Sequence, residues 1–390
     1  MGAEANGLVA NSQRYYGSQL KTSSDLKTSA CTSSCAPPKA IRPILKQIPS
    51  EVSDKFYGPL PPRHLLLFSP TAETKRCASA SAGCGSPIPQ GIEGMRVLDL
   101  GSGSGRDAYV LAKLVGSSGH VVGIDITDEQ IAIADKWKHQ WCVDTLGMRQ
   151  PNMTFIKGQM EDLKAAGIEQ SSFDLIVSNC VINLSPDKQA VLDGSYRALK
   201  PGGELHFSDV YSDRRVPPHL LNHPILHGEG LAGALYVSDF KHMAQHAGFQ
   251  KPLALDGNVI QIYDQDLSAL LGPNITYYSI TFRVFKLPGY AEVSSEDYGF
   301  TVVYKGTYPE NEYYFQLDER HIFETDRPVR VDGNIAAATT KSWLSKHFDV
   351  LSGSFDAHYG AFGACDNVPN IAKKRNKGSE GSASGGSCCG

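Results

Sequence analysis

The stretch Val97-Leu98-Asp99-Leu100-Gly101-Ser102-Gly103-Ser104-Gly105-Arg106-Asp107 decides the fold. A short apolar strand runs into a glycine-rich turn. Behind it Ala108, Leu111, Ala112, Leu114 and Val115 are spaced as one helical face, closed by Gly116. A strand, a tight turn and a helix N-terminus make a nucleotide site, because backbone approaches closely and helix amides point at the ligand. Working outward, His120–Ile126, Met153–Ile156, Phe173–Val177 and Glu204–Val210 read as further strands. Thr127 with Gln130 predicts a capping box for the helix after the second strand. Ser185-Pro186 opens another helix, expected to stop at Lys200-Pro201-Gly202-Gly203. Strands alternating with helices at this spacing predict a parallel sheet wound on both faces.

Two cofactor classes compete for the glycine turn. A dinucleotide fingerprint, G-x-G-x-x-G from Gly101, needs its third glycine at 106, where Arg106 stands. The D-x-G-x-G-x-G form present instead resembles the S-adenosylmethionine (SAM) loop of class I methyltransferases. That resemblance implies that Gly101, Gly103 and Gly105 pass beneath the cofactor's methionyl portion, with Asp99 among the cofactor-binding residues. It gives Asp125, in Val122-Gly-Ile-Asp125, to the ribose hydroxyls and Met160-Glu161-Asp162 to adenine. It also places Tyr57 and Asn179 beside the cofactor.

At roughly 150 residues per domain, 390 residues predict two or three domains. Lys plus Arg at 37 against Asp plus Glu at 41 leaves a net charge of −4, against non-specific nucleic-acid binding. No apolar run approaches the roughly 18 residues of a membrane span, and Met1–Tyr16 holds no apolar signal core, so no membrane partner and a cytoplasmic location are expected. Residues 1–93 form an N-terminal segment rich in Ser, Ala, Pro and Lys, with a loop insertion at 59–82. Residues 94–252 are the expected Rossmann-like domain, within which Leu231–Phe249 reads as a helix. Residues 253–360, with Tyr277, Phe282, Tyr304 and Phe315, read as a smaller mixed α/β domain. Residues 361–390 are expected as a disordered tail, Lys-, Gly- and Ser-rich from Ile371.

Ligands in this fold meet at the carboxyl ends of the strands, so Ser178-Asn179-Cys180-Val181 should lie beside the transferable methyl. The Asn-Pro-Pro-aromatic loop of base and amide N-methyltransferases is missing; a thiol stands in its place. A buried packing cysteine is the plain alternative. Lys27-Thr-Ser-Ala-Cys31, Phe56-Tyr57-Gly58, Gly83-Cys84-Gly85-Ser-Pro and Ser178-Asn-Cys180-Val-Ile-Asn-Leu all resemble arsenite methyltransferase motifs. So do Glu204-Leu-His-Phe-Ser-Asp-Val-Tyr-Ser-Asp-Arg-Arg215, Gly233-Ala-Leu-Tyr, Tyr278-Ser-Ile-Thr-Phe-Arg283 and Arg327-Pro-Val-Arg-Val-Asp332. In order along the chain, they cover roughly residues 14–350 apart from the insertion.

The resemblance implies a SAM-dependent enzyme whose Cys31, Cys84 and Cys180 are catalytic and bind arsenic(III), which is the substrate. Soft thiolates suit a soft centre. Its lone pair can attack the methyl in line without a general base, so the protein supplies alignment, worth up to roughly 7–11 kcal/mol. Glutathione or thioredoxin as reductant and a monomeric state are further expectations. Two departures stand out. The insertion separates Phe-Tyr-Gly from Cys-Gly, and the family's fourth thiol, after Gly-Glu, is replaced by Gly230 in His227-Gly228-Glu229-Gly230. That loss leaves two other readings open: a class I methyltransferase for another small molecule, or a non-catalytic arsenical-binding protein. Among the nine cysteines, Cys35, Cys77 and Cys142 match no motif and read as structural; Cys365, Cys388 and Cys389 lie in or beside the tail.

Overall fold

The computed structural model describes Thr28, residues 39–54 and residues 87–363. Cys31, Cys35, Tyr57, Cys77, Cys84, Cys365, Cys388, Cys389 and the insertion at 59–82 lie outside them. The glycine turn is framed by β1 (Arg96–Leu100) and β2 (His120–Asp125), followed by β3 (Met153–Lys157), β4 (Phe173–Asn179) and β5 (Leu199–Ser212). Short β6 (Leu235–Tyr236), β7 (Leu253–Val259) and β8 (Tyr277–Phe285) complete one sheet of order β3-β2-β1-β4-β5-β8-β7, with β6 beside β5. The pairs from β3 to β5 are parallel, while β8 runs antiparallel to both β5 and β7. Parallel neighbours bring their carboxyl ends to one edge, so Leu100, Asp125 and Asn179 meet there. Register places Asp99 opposite both Gly123 and Val177.

Alternation along β1 explains why both faces are covered. Val97 joins a core with Ile41, Val52, Leu111 and Trp141, whereas Leu98 and Leu100 join Phe173, Leu192, Phe240 and Phe282 on the other face. The first core packs α1 (Ile41–Leu45), α2 (Ser50–Asp54) and α3 (Arg106–Val115); α4 (Asp128–Lys136) follows β2. The second packs α5 (Lys188–Ala198) and, after α6 (Pro224–Gly228), α7 (Val237–His246). Among the described residues no helix is long and apolar enough to cross a membrane.

Beyond α8 (Gln265–Leu271), a third core forms around Phe300, Tyr304, Phe315 and Leu344. It includes β9 (Thr301–Tyr304), β10 (Tyr314–Gln316), β11 (Ile322–Glu324), β12 (Pro328–Arg330), α9 (Gly333–Thr340) and β13 (Phe348–Ser352), with antiparallel order β12-β9-β13 and a separate β10–β11 pair. Arg283 on β8 joins this region to the main sheet. Its guanidinium donates to both oxygens of buried Glu204 at 2.7 and 2.8 Å, and Trp343 Nε1 donates to the second at 2.8 Å. Burial pushes the Glu204 carboxyl up, but Arg283 and His206 outweigh it and hold the pKa down to about 2.

Three local expectations change. The capping box fails: the Thr127 side chain makes no cap hydrogen bond, and the Thr127 amide, which a capping box gives to Gln130, donates instead to the Asp125 carboxylate at 2.9 Å. Asp187, not Ser185, caps α5 by accepting from Ala190 N at 2.9 Å, and the helix stops at Ala198 because Leu199 already pairs with Phe173 in β5. The helix expected over Leu231–Phe249 is confined to Val237–His246, since Leu235 and Tyr236 pair with the end of β5.

Candidate functional site

The turn after β1 climbs over the sheet edge through Gly101, Gly103 and Gly105, with φ of 67°, 52° and 91°. Ser102 N donates to Ile124 O at 3.0 Å and Gly103 N to Asp125 Oδ2 at 3.0 Å, so the end of β2 sets the height of the turn. Gly101 is required by close approach: a Cβ there would lie 2.6 Å from Val181 Cγ2. Above Gly103 the space is open, and a Cβ would meet nothing within 4 Å. Burial is the main cause raising the Asp125 carboxyl, opposed by the Thr127 and Gly103 amides.

Beneath the turn lies a cluster of acceptors. Asp99 is buried, and burial first, then Asp107 and Asp125, raise its carboxyl well above the usual range. Asn179 Nδ2 donates to Asp107 Oδ2 at 3.1 Å. Asp99 Oδ2 and Asn179 Oδ1 are buried acceptors with no hydrogen bond among the described residues. Arg106, at the position of the dinucleotide glycine, is buried with an ion pair to Asp107 at 3.2 Å. An open-topped backbone cradle lined by carboxyl groups and orphan acceptors suits a ligand with ammonium and sulfonium charges. The residues therefore fit SAM: Asp99, Asp107 and Asn179 would face its charged amino-acid end, and Asp125 its ribose. Met160 and Glu161 form one short helical turn after β3, where Ser185 Oγ donates to Glu161 Oε1 at 2.5 Å.

Cys180 is the first residue past β4, with a left-handed φ of 55°. Its amide donates to Ser208 O on β5 at 2.8 Å. Its half-buried side chain packs, as Ile262 does, against the cluster that holds Val210, Leu226 and Leu231. Three residues on, the Asn183 amide and Nδ2 donate to Asp209 Oδ2 and Oδ1 at 3.1 and 2.8 Å. Burial pushes the Asp209 carboxyl up to about 6. Gly230 also has a left-handed φ, 74°, and a Cβ added there would lie 3.6 Å from Val210 Cγ2, in ordinary contact. Burial, with Lys188 nearby, lowers His227 to about 4. Thr28 bridges to Ile262 and donates to buried Glu229 Oε2 at 2.7 Å, so Thr28 lies beside the same cluster.

The fold thus brings Asp99, Gly101, Gly103, Gly105, Asp125, Asn179 and Cys180 to one edge of the sheet. Of the expected arsenic ligands, Cys180 lies within the described residues while Cys31 and Cys84 do not. Cys142 is buried and donates to Asn152 Oδ1 at 3.4 Å, as expected of a structural thiol. Sequence reasoning assigned no role to Asp107, Asn183, Asp209 or Glu229. For Asp209 a signal existed: a carboxylate amid Phe207, Val210 and Tyr211 needs buried donors.

Residues 92–248 match the methyltransferase-domain family, and residues 298–390 match the arsenite methyltransferase C-terminal domain family. The chain is 44% identical over 353 residues to arsenite methyltransferase of Aquipseudomonas alcaligenes, covering 90% of this chain and 93% of the relative. To the Mus musculus arsenite methyltransferase it is 39% identical, covering 88% of this chain and 84% of the relative. The crystal structure of an arsenic(III) S-adenosylmethionine methyltransferase from Chlamydomonas reinhardtii superposes with a TM-score of 0.75 at 49% identity, covering 84% of this chain and 100% of that one. With that likeness running through both the glycine turn and the C-terminal region, the chain belongs to the arsenite methyltransferase family, SAM-dependent enzymes on a class I methyltransferase sheet.

Proposed function

We propose that this enzyme holds trivalent arsenic as a thiolate complex at the turn after β4, with Cys180 beside the reacting atom and Cys84 as second ligand. Cys31 assists the first step by ligand exchange or disulfide formation. The observation that carries this is the seating of the Cys180 turn on the glycine loop, where Val181 fills the space that any side chain at 101 would need. When bound, SAM supplies an electrophilic methyl group on a positively charged sulfur. The chain's own part is to hold and align: Asp99, Asp107, Asn179 and Asp125 fix the cofactor, and the apolar wall of Val210, Leu226 and Leu231 excludes water from the thiol side.

Gly230 decides substrate preference within this reading. Methylarsenite has one bond taken by carbon, so two thiolates complete its three-coordinate shell, whereas arsenite needs three. Arsenite methylation should therefore depend on Cys31 far more than methylarsenite methylation does. Turnover of both by Cys31→Ser tests this: selective loss of arsenite turnover supports it, and equal loss or no loss contradicts it. Arsenic detoxification in the cytoplasm, glutathione or thioredoxin as reductant, a monomeric state and domain limits at 93, 252 and 360 complete the reading.

A further inference from the structure

Cys180 adopts a backbone conformation that a residue with a side chain keeps only where its surroundings fix it. Those surroundings are two consecutive residues of β5. Ser208 O accepts the Cys180 amide at 2.8 Å. Asp209 then holds the far end of the turn: Oδ2 accepts Asn183 N at 3.1 Å, and Oδ1 accepts Asn183 Nδ2 and Val210 N, both at 2.8 Å. Asn183 Nδ2 also donates to Val210 O. Both side chains are 2% exposed, so water does not replace these bonds. From the opposite side Gly233 lies against the turn, where a Cβ would sit 2.0 Å from Asn183 O. Between the two anchored ends Val181 rests on Gly101 of the cofactor loop. The Asn183–Asp209 pair therefore sets the position of the Cys180 thiol relative to the cofactor loop.

The geometry points to Asp209 as a positioning residue for methyl transfer, acting through Asn183 on the Cys180 turn without touching substrate or cofactor. This rests on the role proposed for Cys180. In-line displacement is sensitive to a misplacement of about 1 Å, so loosening this anchor should appear in turnover rather than in cofactor affinity. Asp209→Asn keeps the volume but sets an NH2 group against Asn183 N–H or Nδ2–H, where the carboxylate now only accepts.

The experiment uses the reduced full chain. It reads kcat and KM for the arsenical, SAM affinity by calorimetry, and the rate of Cys180 alkylation by peptide mass spectrometry. For Asp209→Asn, kcat should fall at least tenfold, the alkylation rate should change at least threefold, and KM and SAM affinity should stay within threefold. Wild-type kcat or an unchanged alkylation rate overturns the proposal. Should Asp209→Asn fail to fold, Asn183→Ser is read in the same assays, since it keeps the backbone bond to Asp209 and removes the side-chain bond. A threefold change in both kcat and alkylation is expected there; wild-type values, or failure of this variant to fold as well, overturn the proposal. Cys180→Ser, measured alongside, separates the two ideas. If it stays active the reading of Cys180 fails, and if it is inactive while Asp209→Asn matches wild type, only the positioning role fails.

Discussion

The Asp125 carboxylate accepts the Gly103 amide at 3.0 Å through one oxygen and the Thr127 amide at 2.9 Å through the other. The end of β2 is thus tied both to the glycine turn and to the start of α4. An acid placed this way, proposed above to face the ribose, also shapes the cradle. Hydrogen bonds to a charged acceptor are worth about 1.5–3 kcal/mol each, so Asp125→Ala should weaken SAM binding at least tenfold by calorimetry. Unchanged affinity would remove the cofactor from this edge. NADH should not bind measurably, since Arg106 fills the position of the third dinucleotide glycine.

The Glu204–Arg283 pair is buried on both sides, with side chains 0% and 3% exposed. Arg283→Met would strand a buried carboxylate, and breaking such a pair costs about 3–5 kcal/mol. Urea unfolding should show a loss of this order, and one below about 1 kcal/mol would mean the pair is solvated. With its pKa held down to about 2, Glu204 contributes stability that is full above its ordinary value of 4.5 and lost as pH falls from there toward 2.

At milder acidity two histidines act. His227 and His347 are both lowered to about 4, mainly by burial, from an ordinary 6.5. As pH falls between those values the unfolded chain takes up protons that the folded chain refuses, so stability is lost. Asp209 works the other way: raised to about 6, it binds a proton in the folded chain first, so stability rises as pH falls from 6 to 3.8. Asp99 and Asp125, also raised by burial, act in the same direction as Asp209, so the histidine loss between pH 7 and pH 5 is read by comparing Tm with and without each ring. His347→Gln, which keeps a hydrogen-bonding group for Thr307, should recover about 1 kcal/mol of that loss. A slope unchanged by His347→Gln would show that this ring titrates alike in both states.

Gly230→Cys would supply the thiol that the motif resemblance leads one to expect after Gly-Glu. The site offers room, since the new Cβ would meet Val210 Cγ2 at 3.6 Å, but a φ of 74° penalises any side chain. The variant should lose about 1 kcal/mol of stability and gain arsenite turnover relative to methylarsenite turnover. A folded variant that binds arsenite no more tightly would contradict the role given to this position.

The glycine turn and the acids around it were legible because their signals are local. Asp99, the three glycines and Asp125 follow from a strand, a turn and the end of the next strand, and the structure sets them at one edge. Helix starts were harder: Thr127 looks like a capping residue in sequence, but Asp125 had already claimed its amide. The Asn183–Asp209 and Thr28–Glu229 bonds join residues 26 and 201 apart, a separation that no short-range pattern encodes. The third core, with its short strands β9 to β13, showed only as a density of aromatic and β-branched residues, because each strand there is too short to display a period.

The central claim is that Cys180 holds the arsenic while it receives the methyl group. The most direct test incubates reduced enzyme with methylarsenite and SAM carrying a labelled methyl, then separates arsenic species by chromatography and counts label in each. The wild-type chain should place label on arsenic with matching S-adenosylhomocysteine, and Cys180→Ser, folded and still binding SAM, should place none. Labelled arsenic from Cys180→Ser at a rate near that of wild type would contradict the account.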